Sequence, residues 1–296
     1  MTKQSPDNDS WRTWPLEQLE REYSPSSCVP SIAPFLDSYV ERSREAAERF
    51  PHRRNLKWGG GDHEVFDFFP AASTGAPLLV FFHGGYWQEH SKDDVLFVAA
   101  GCVPNGIACA VVEYTLAPAM TVSGIVDQCR RAIRAIWSQS KNLGFDSHRL
   151  FVAGSSAGAH LASMMLLRGW QNDLADGADL IVGAILLSGI YDLAPLIPTY
   201  INQALHLNEG EAAKLSPLYQ PPGRPVPVVV AWGDNETSEF KRQSQNFASK
   251  LRDANFPVTA LEVPGTNHFD IVFEIADRTS QLGRANLALI DGETHT

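Results

Sequence analysis

The stretch VAGSSAGAH, residues 152–160, decides the reading of this chain. Gly154-Ser155-Ser156-Ala157-Gly158 matches the pattern G-x-S-x-G, which composition alone would produce roughly 0.1 times in a chain this long. The context carries more weight than the match. An apolar run, RLFVAGS (149–155), precedes it, and AGAHLASMMLLRG (157–169), rich in Ala, Leu and Met, follows. Ser156 therefore falls at a strand–turn–helix junction, where small neighbours let a strained serine project above a sheet. The start of the following helix favours negative charge beside it. The plainer alternative is a glycine-rich loop that packs a helix closely on a strand.

Outward from this junction the chain alternates. PLLVFF (77–82), GIACAVVEY (106–114), LIVGAILLSG (180–189), VPVVVAWG (226–233) and VTALEV (258–263) read as strands. VSGIVDQCRRAIRAIWSQS (122–140) and SEFKRQSQNFASKLRDA (238–254) have helical periodicity, and FDIVFEIAD (269–277) reads as the start of a final helix. Continuous apolar strands alternating with helices predict an α/β fold, with a mostly parallel central sheet covered on both faces. EVFDFFP (64–70) alternates apolar and polar residues, as an edge strand with one wet face would. Residues 1–50 hold two amphipathic helical patterns, read as an N-terminal helical extension, and 51–296 as the α/β domain, in a single-domain protein overall. The irregular segment 190–222, with scattered Pro and Tyr, reads as a small partial cover over the site.

In such sheets chemistry gathers at the carboxyl ends of the strands. A serine hydroxyl needs a base, and the base needs an orienting acid. For this kind of junction the order along the chain is Ser, then Asp or Glu, then His. His268, in VPGTNHFDIV between the last strand and the last helix, is chosen over His206 in the irregular segment and His295 in the tail. His160, four residues after Ser156, projects along the helix and reads as packing. For the acid, VVVAWGDNETSEF offers Asp234 and Glu236; Glu236 is preferred because three residues past Gly233 a turn can point back at the site. Asp234 stays the alternative, and Asp192 reads as a turn former.

HGGYW (83–87) then acquires a purpose. Acyl transfer develops negative charge on a carbonyl oxygen, and each backbone N–H aimed at it contributes about 3–4 kcal/mol. The N–H groups of Gly84, Gly85 and Ala157 are the expected donors. His83 holds the loop by hydrogen bonding, and Trp87 anchors it. Tyr86 and Trp87 are the expected substrate contacts, with Tyr191 and Tyr200 as further candidate aromatic walls.

Composition narrows the partners. A formal charge of −10 argues against nucleic acid, and no run approaches the roughly 18 apolar residues that cross a membrane. The first residues lack the apolar core of a signal peptide. Cys28, Cys102, Cys109 and Cys129 show no CxxC spacing and read as reduced thiols in a cytoplasmic protein. KWGGGDHEV (57–65) has no strand–loop–helix setting for phosphate. Neither metal nor cofactor is expected; a small-molecule substrate is, and a homodimer is compatible with the sequence.

HGGYW, GSSAGAHL, YTLAPAMTVSGIVDQCRRAI, LSGIYDL, ETSEFKRQS and NHFDIV together resemble the arylformamidase (kynurenine formamidase) branch of the α/β-hydrolase fold, over residues 12 to 278. The resemblance implies hydrolysis of N-formylkynurenine to kynurenine and formate, with Ser156 as nucleophile and His268 as base. The acid falls just before SEF, at Glu236, where the family often carries Asp. Relatives in the branch act on other esters and amides, so a broader carboxylesterase or arylamide hydrolase is the alternative. A non-catalytic binding module on this fold is the remote one.

Overall fold

A computed structural model describes residues 10–171 and 179–292. Among these residues eight strands form one sheet: β1 (Arg53–Lys57), β2 (Val65–Phe69), β3 (Ala76–Phe82), β4 (Ala108–Val112), β5 (Phe145–Ser155), β6 (Gly183–Leu187), β7 (Val228–Asn235) and β8 (Val258–Asn267). Their spatial order is β1-β2-β4-β3-β5-β6-β7-β8. The pairs β1–β2 and β2–β4 are antiparallel, and the remaining neighbours are parallel.

The central strands β3, β4 and β6, and β5 from residue 150 to 154, are apolar because both their faces are covered. In β3, Leu78, Val80 and Phe82 point into one half of the core and Leu79 and Phe81 into the other, all but fully buried. The first half packs under α4 (Val122–Ser138), α6 (Ala157–Met164) and α9 (Ser238–Asp253); the second packs under α3 (Val98–Cys102) and α10 (Gln281–Asp291). Each fully buried Phe or Leu contributes about 1.5–3 kcal/mol. Thr121 caps α4 by accepting from Gly124 N, and Ser280 caps α10 by accepting from Gly283 N.

The segment before the sheet holds α1 (Leu16–Glu22) and α2 (Ala33–Arg49), and both pack onto the body. Thr237 Oγ1 donates to Glu22 O, Tyr23 Oη to Glu239 Oε2 and Tyr39 Oη to Phe269 O, at 2.6–2.7 Å. The remaining helices are short: α5 (Ser140–Leu143) follows α4, and α7 (Asn202–Leu205) and α8 (Glu209–Leu215) lie in the 190–222 segment. No helix among the described residues is long and apolar enough to cross a membrane.

Two expectations are corrected. Residues 65–69 are not an edge strand: every residue of β2 is buried, between β1 and β4. Asp67, the polar residue that mimicked a wet face, is buried with Lys92 Nζ at 3.0 Å and accepts from Asn55 N. The edge is β1, whose RRNLK carries no strand pattern and is largely exposed. The final helix does not start within FDIVFEIAD; Ile271–Glu274 is one 3₁₀ turn, and α10 begins at Gln281 behind its Ser280 cap.

Candidate active site

At the end of β5 the backbone reverses through Ser156, at φ 57° and ψ −121°, straight into α6. A non-glycine residue held there costs on the order of 1–3 kcal/mol, which the surrounding packing has to offset. The flanking glycines make the turn sterically feasible. A Cβ on Gly154 would lie 2.2 Å from the Gly158 carbonyl carbon, and one on Gly158 would lie 2.0 Å from Phe82 O. Helix and strand touch backbone to backbone here. Ser156 N donates to Leu187 O at 2.8 Å, and α6 starts without a side-chain cap. No acceptor among the described residues takes the N–H of Ala157, so the helix start is open to an anion.

Two further strand ends bring the second pair together. A Cβ on Gly233 would lie 2.6 Å from Thr266 O, so only glycine lets the ends of β7 and β8 approach this closely. The ladder also slips between Gly233 and Asn235, as a bulge beside a site does. The result puts Glu236 Oε2 3.1 Å from His268 Nδ1. Glu236 Oε1 accepts from Ser188 Oγ and from Gly233 N, both at 2.6 Å. The carboxylate is thus held by three donors, which fixes the imidazole in the tautomer with Nδ1 protonated. Asn267 and Asp270 brace His268 from both sides: Asn267 N and Nδ2 donate to Asp270, and Phe269 N donates to Asn267 Oδ1. Burial and the charge of Glu236 raise the Asp270 carboxyl, although the Asn267 donors pull it down.

Ser156, His268, Gly84 and Gly85 line one cavity of about 210 Å³. Gly84 passes so close to the serine that an added Cβ would lie 3.3 Å from Ser156 Cβ. Neither glycine N–H has an acceptor among the described residues. Tyr86 lines the cavity; Tyr200 and Ile201 come from the 190–222 segment, and Ser24, Ile32 and Tyr39 from the N-terminal one.

The other sequence candidates fall elsewhere. Asp234 is exposed, and the His268 ring pairs with Glu236. Asp192 accepts from Ala194 N and Tyr219 Oη, as a turn former does. His160 is wholly buried, bonded through Nε2 to Leu215 O at 2.7 Å and set edge-on to Trp87. His206 is exposed, and His295 lies outside the described residues. Trp87 does not touch the cavity. Its indole is completely buried against His160, because its backbone turns at φ 60° and sends the ring inward. It anchors the loop instead, through Trp87 O accepting from Ala117 N at 2.8 Å. Tyr191 stacks on Phe247 in the core. Sequence reasoning missed Ser188 and the whole N-terminal wall. The LSG at the end of β6 was the only local signal for the serine. Among the described residues no group of three His, Cys, Asp or Glu could hold a metal.

This geometry can be set beside known proteins. Residues 79–271 match the alpha/beta hydrolase fold family. A kynurenine formamidase of Danio rerio is 32% identical over 95% of this chain and 98% of its own length. One of Salmo salar is 33% identical over 90% and 94%. The chain belongs to the α/β-hydrolase family, in its kynurenine-formamidase-like branch. A crystal structure from Silicibacter sp. TM1040 superposes at a TM-score of 0.81, with 26% identity, covering 93% of this α/β-hydrolase and 99% of that chain. An esterase of Pyrobaculum calidifontis, 16% identical at a TM-score of 0.71 over 93% and 97%, shares the fold. The eight-stranded, mostly parallel sheet is that of the family, and this α/β-hydrolase is a hydrolytic enzyme acting on a small molecule.

Proposed function

We propose that this hydrolase removes a formyl group from an aryl amide, N-formylkynurenine above all, through a serine-bound acyl intermediate. The observation that carries the chemistry is the convergence of Ser156, His268 and the two glycine N–H groups on one cavity, with Glu236 behind the histidine. The near end-to-end similarity to kynurenine formamidases supports the substrate. Aromatic side chains around the cavity, Tyr39, Phe81, Tyr86, Tyr200 and Phe269, suit an aryl leaving group.

Ser156 Oγ attacks the formyl carbon while His268 Nε2 takes its proton. Glu236 stabilises the imidazolium through Nδ1, and the N–H groups of Gly84, Gly85 and Ala157 hold the oxyanion. His268 then protonates the departing aryl nitrogen and the C–N bond breaks. Water, deprotonated by the same histidine, attacks the formyl-serine; the Oγ–C bond breaks, His268 returns the proton to Ser156 Oγ, and formate leaves. The helix start at Ala157 favours the oxyanion, and the Glu236 carboxylate beside Nδ1 favours the imidazolium.

The test is kcat/KM for N-formylkynurenine beside its N-acetyl counterpart and p-nitrophenyl acetate. The expected value on the formyl compound exceeds about 10⁴ M⁻¹s⁻¹ and falls by about 10⁴-fold or more in Ser156→Ala. A second reading, a broader esterase, draws on the Mycobacterium tuberculosis esterase LipQ, 27% identical over 77% of this chain and 61% of its own. Fast ester or acetamide cleavage with negligible formamide cleavage would select it.

A further inference from the structure

The two glycine donors at the cavity floor each belong to a peptide unit whose carbonyl is pinned from behind. Tyr114 Oη donates to His83 O at 2.9 Å. His83 Nδ1 lies 2.9 Å from Gly84 O, and since a carbonyl oxygen can only accept, Nδ1 carries the ring proton. In a planar trans peptide the C=O and N–H point in opposite directions. Pinning the His83 carbonyl therefore aims the N–H of Gly84, and pinning the Gly84 carbonyl aims the N–H of Gly85. A carbonyl that accepts a hydrogen bond also polarises its own peptide, which strengthens the N–H at the other end.

The pins are themselves braced. The His83 and Tyr114 rings stack with centroids 4.0 Å apart and 7° from parallel, and neither side chain reaches solvent. Glu113 accepts from Lys92 N at 3.1 Å and from Tyr114 N at 3.2 Å, and its Oε1 stands 3.6 Å from His83 Nε2. Burial pushes the Glu113 carboxyl up, but the His83 ring and the two backbone donors outweigh it and leave the group below its ordinary range. Glu113 is thus an anion held by the backbone N–H groups of Lys92 and Tyr114, next to the stacked rings.

We propose that Tyr114 and His83 are positioning residues that together aim the two glycine N–H groups at the oxyanion, with Glu113 bracing Tyr114 through its backbone N–H. Neither Tyr114 nor His83 lines the cavity; both act through backbone. The inference rests on the serine-hydrolase reading above and does not depend on which acyl group is the natural one.

Tyr114→Phe removes one hydroxyl and keeps the stacked ring. On p-nitrophenyl acetate it should lower kcat by about 10–100-fold with KM changed less than about twofold, because the lost interaction matters only once the oxyanion forms. Affinity for an aryl trifluoromethyl ketone, whose adduct on Ser156 carries that oxyanion, should fall by a similar factor. Affinity for a product-like aryl amine should stay the same. Glu113→Gln should show the same pattern at smaller amplitude, and it carries the test if Tyr114→Phe does not fold. Wild-type kcat and ketone affinity in Tyr114→Phe, or equal loss of ketone and amine binding, would reduce the tyrosine to packing and overturn this inference alone. A wild-type protein that cleaves neither ester nor formamide and does not bind the ketone would overturn the serine-hydrolase reading, and this inference with it.

Discussion

The floor and the roof of the cavity are held by different physics. The floor is made of strand ends. Gly154, Gly158 and Gly233 bring backbones together where no side chain fits, and Glu236 is locked by three donors. The roof is the segment from Ser24 to Tyr39, laid over the body by side chains: Phe35 stacks on Phe269, Tyr39 packs against Phe97 and Phe273, and hydrogen bonds run from Tyr39 Oη to Phe269 O and from Asn235 Nδ2 to Cys28 O. A floor built on backbone-to-backbone contact tolerates no displacement, whereas the roof rests on side chains, the ring contacts of Phe35 and Tyr39 and single hydrogen bonds, which a substitution can alter one at a time. Chemistry should therefore fail abruptly when the floor changes, and discrimination between leaving groups should drift when the roof does.

The sharpest way to break that contrast is Glu236→Gln. It keeps the shape of the acid but lets the amide donate, which turns His268 toward the wrong tautomer. The expected loss in kcat is about 10³–10⁴-fold, with the fold intact by circular dichroism. A loss under tenfold would mean that the acid is not Glu236 and that the floor is less tightly determined than its geometry says.

A second test probes what backs the floor. Burial holds the His160 imidazole down at about 4, against an ordinary value of 6.5, despite the carbonyl of Leu215 pulling it up. The unfolded chain takes up this proton first as pH falls, so the native state loses stability through that window and is at full strength above it. The difference amounts to roughly 3 kcal/mol at the acid end. His160→Gln keeps an N–H donor for Leu215 O and cannot titrate. Its Tm should fall less steeply than wild type between pH 6.5 and 4. Parallel Tm profiles would show that the ring protonates in place.

The smallest effect belongs to the roof. Tyr39→Phe removes the hydrogen bond to Phe269 O, next to His268, and should cost about 1 kcal/mol. That cost should be visible as a change of about fivefold in kcat/KM for bulky aryl leaving groups and much less for p-nitrophenyl acetate. Equal changes on both substrates would assign Tyr39 to the floor and blur the distinction.

The floor was also the legible part. G-x-S-x-G, HGG and the His–acid order each sit within a few residues or follow the chain order of the fold, so Ser156, His268, Gly84 and Gly85 could be named from the sequence. Turn geometry favours Glu236 over Asp234, but the contact of Glu236 with His268 spans 32 positions and no local pattern records it. The roof was not legible. Nothing in LEREYSP or FLDSYVERS says which strand ends those helices cover, because amphipathic helices report burial of one face and not what it packs against.

What the sequence by itself determined is whatever depends on local periodicity and on backbone sterics: the alternation of strand and helix, the serine turn, and the glycine loop. What only the tertiary structure decided is whatever depends on a partner far along the chain. A buried Asp67 satisfied by Lys92 turns an apparent edge strand into an interior one. Trp87 faces the core and does not line the cavity. Ser188 reaches Glu236, and Tyr114 reaches the carbonyl of His83. A hydrogen bond needs two ends within about 3 Å, and sequence records only one of them at a time.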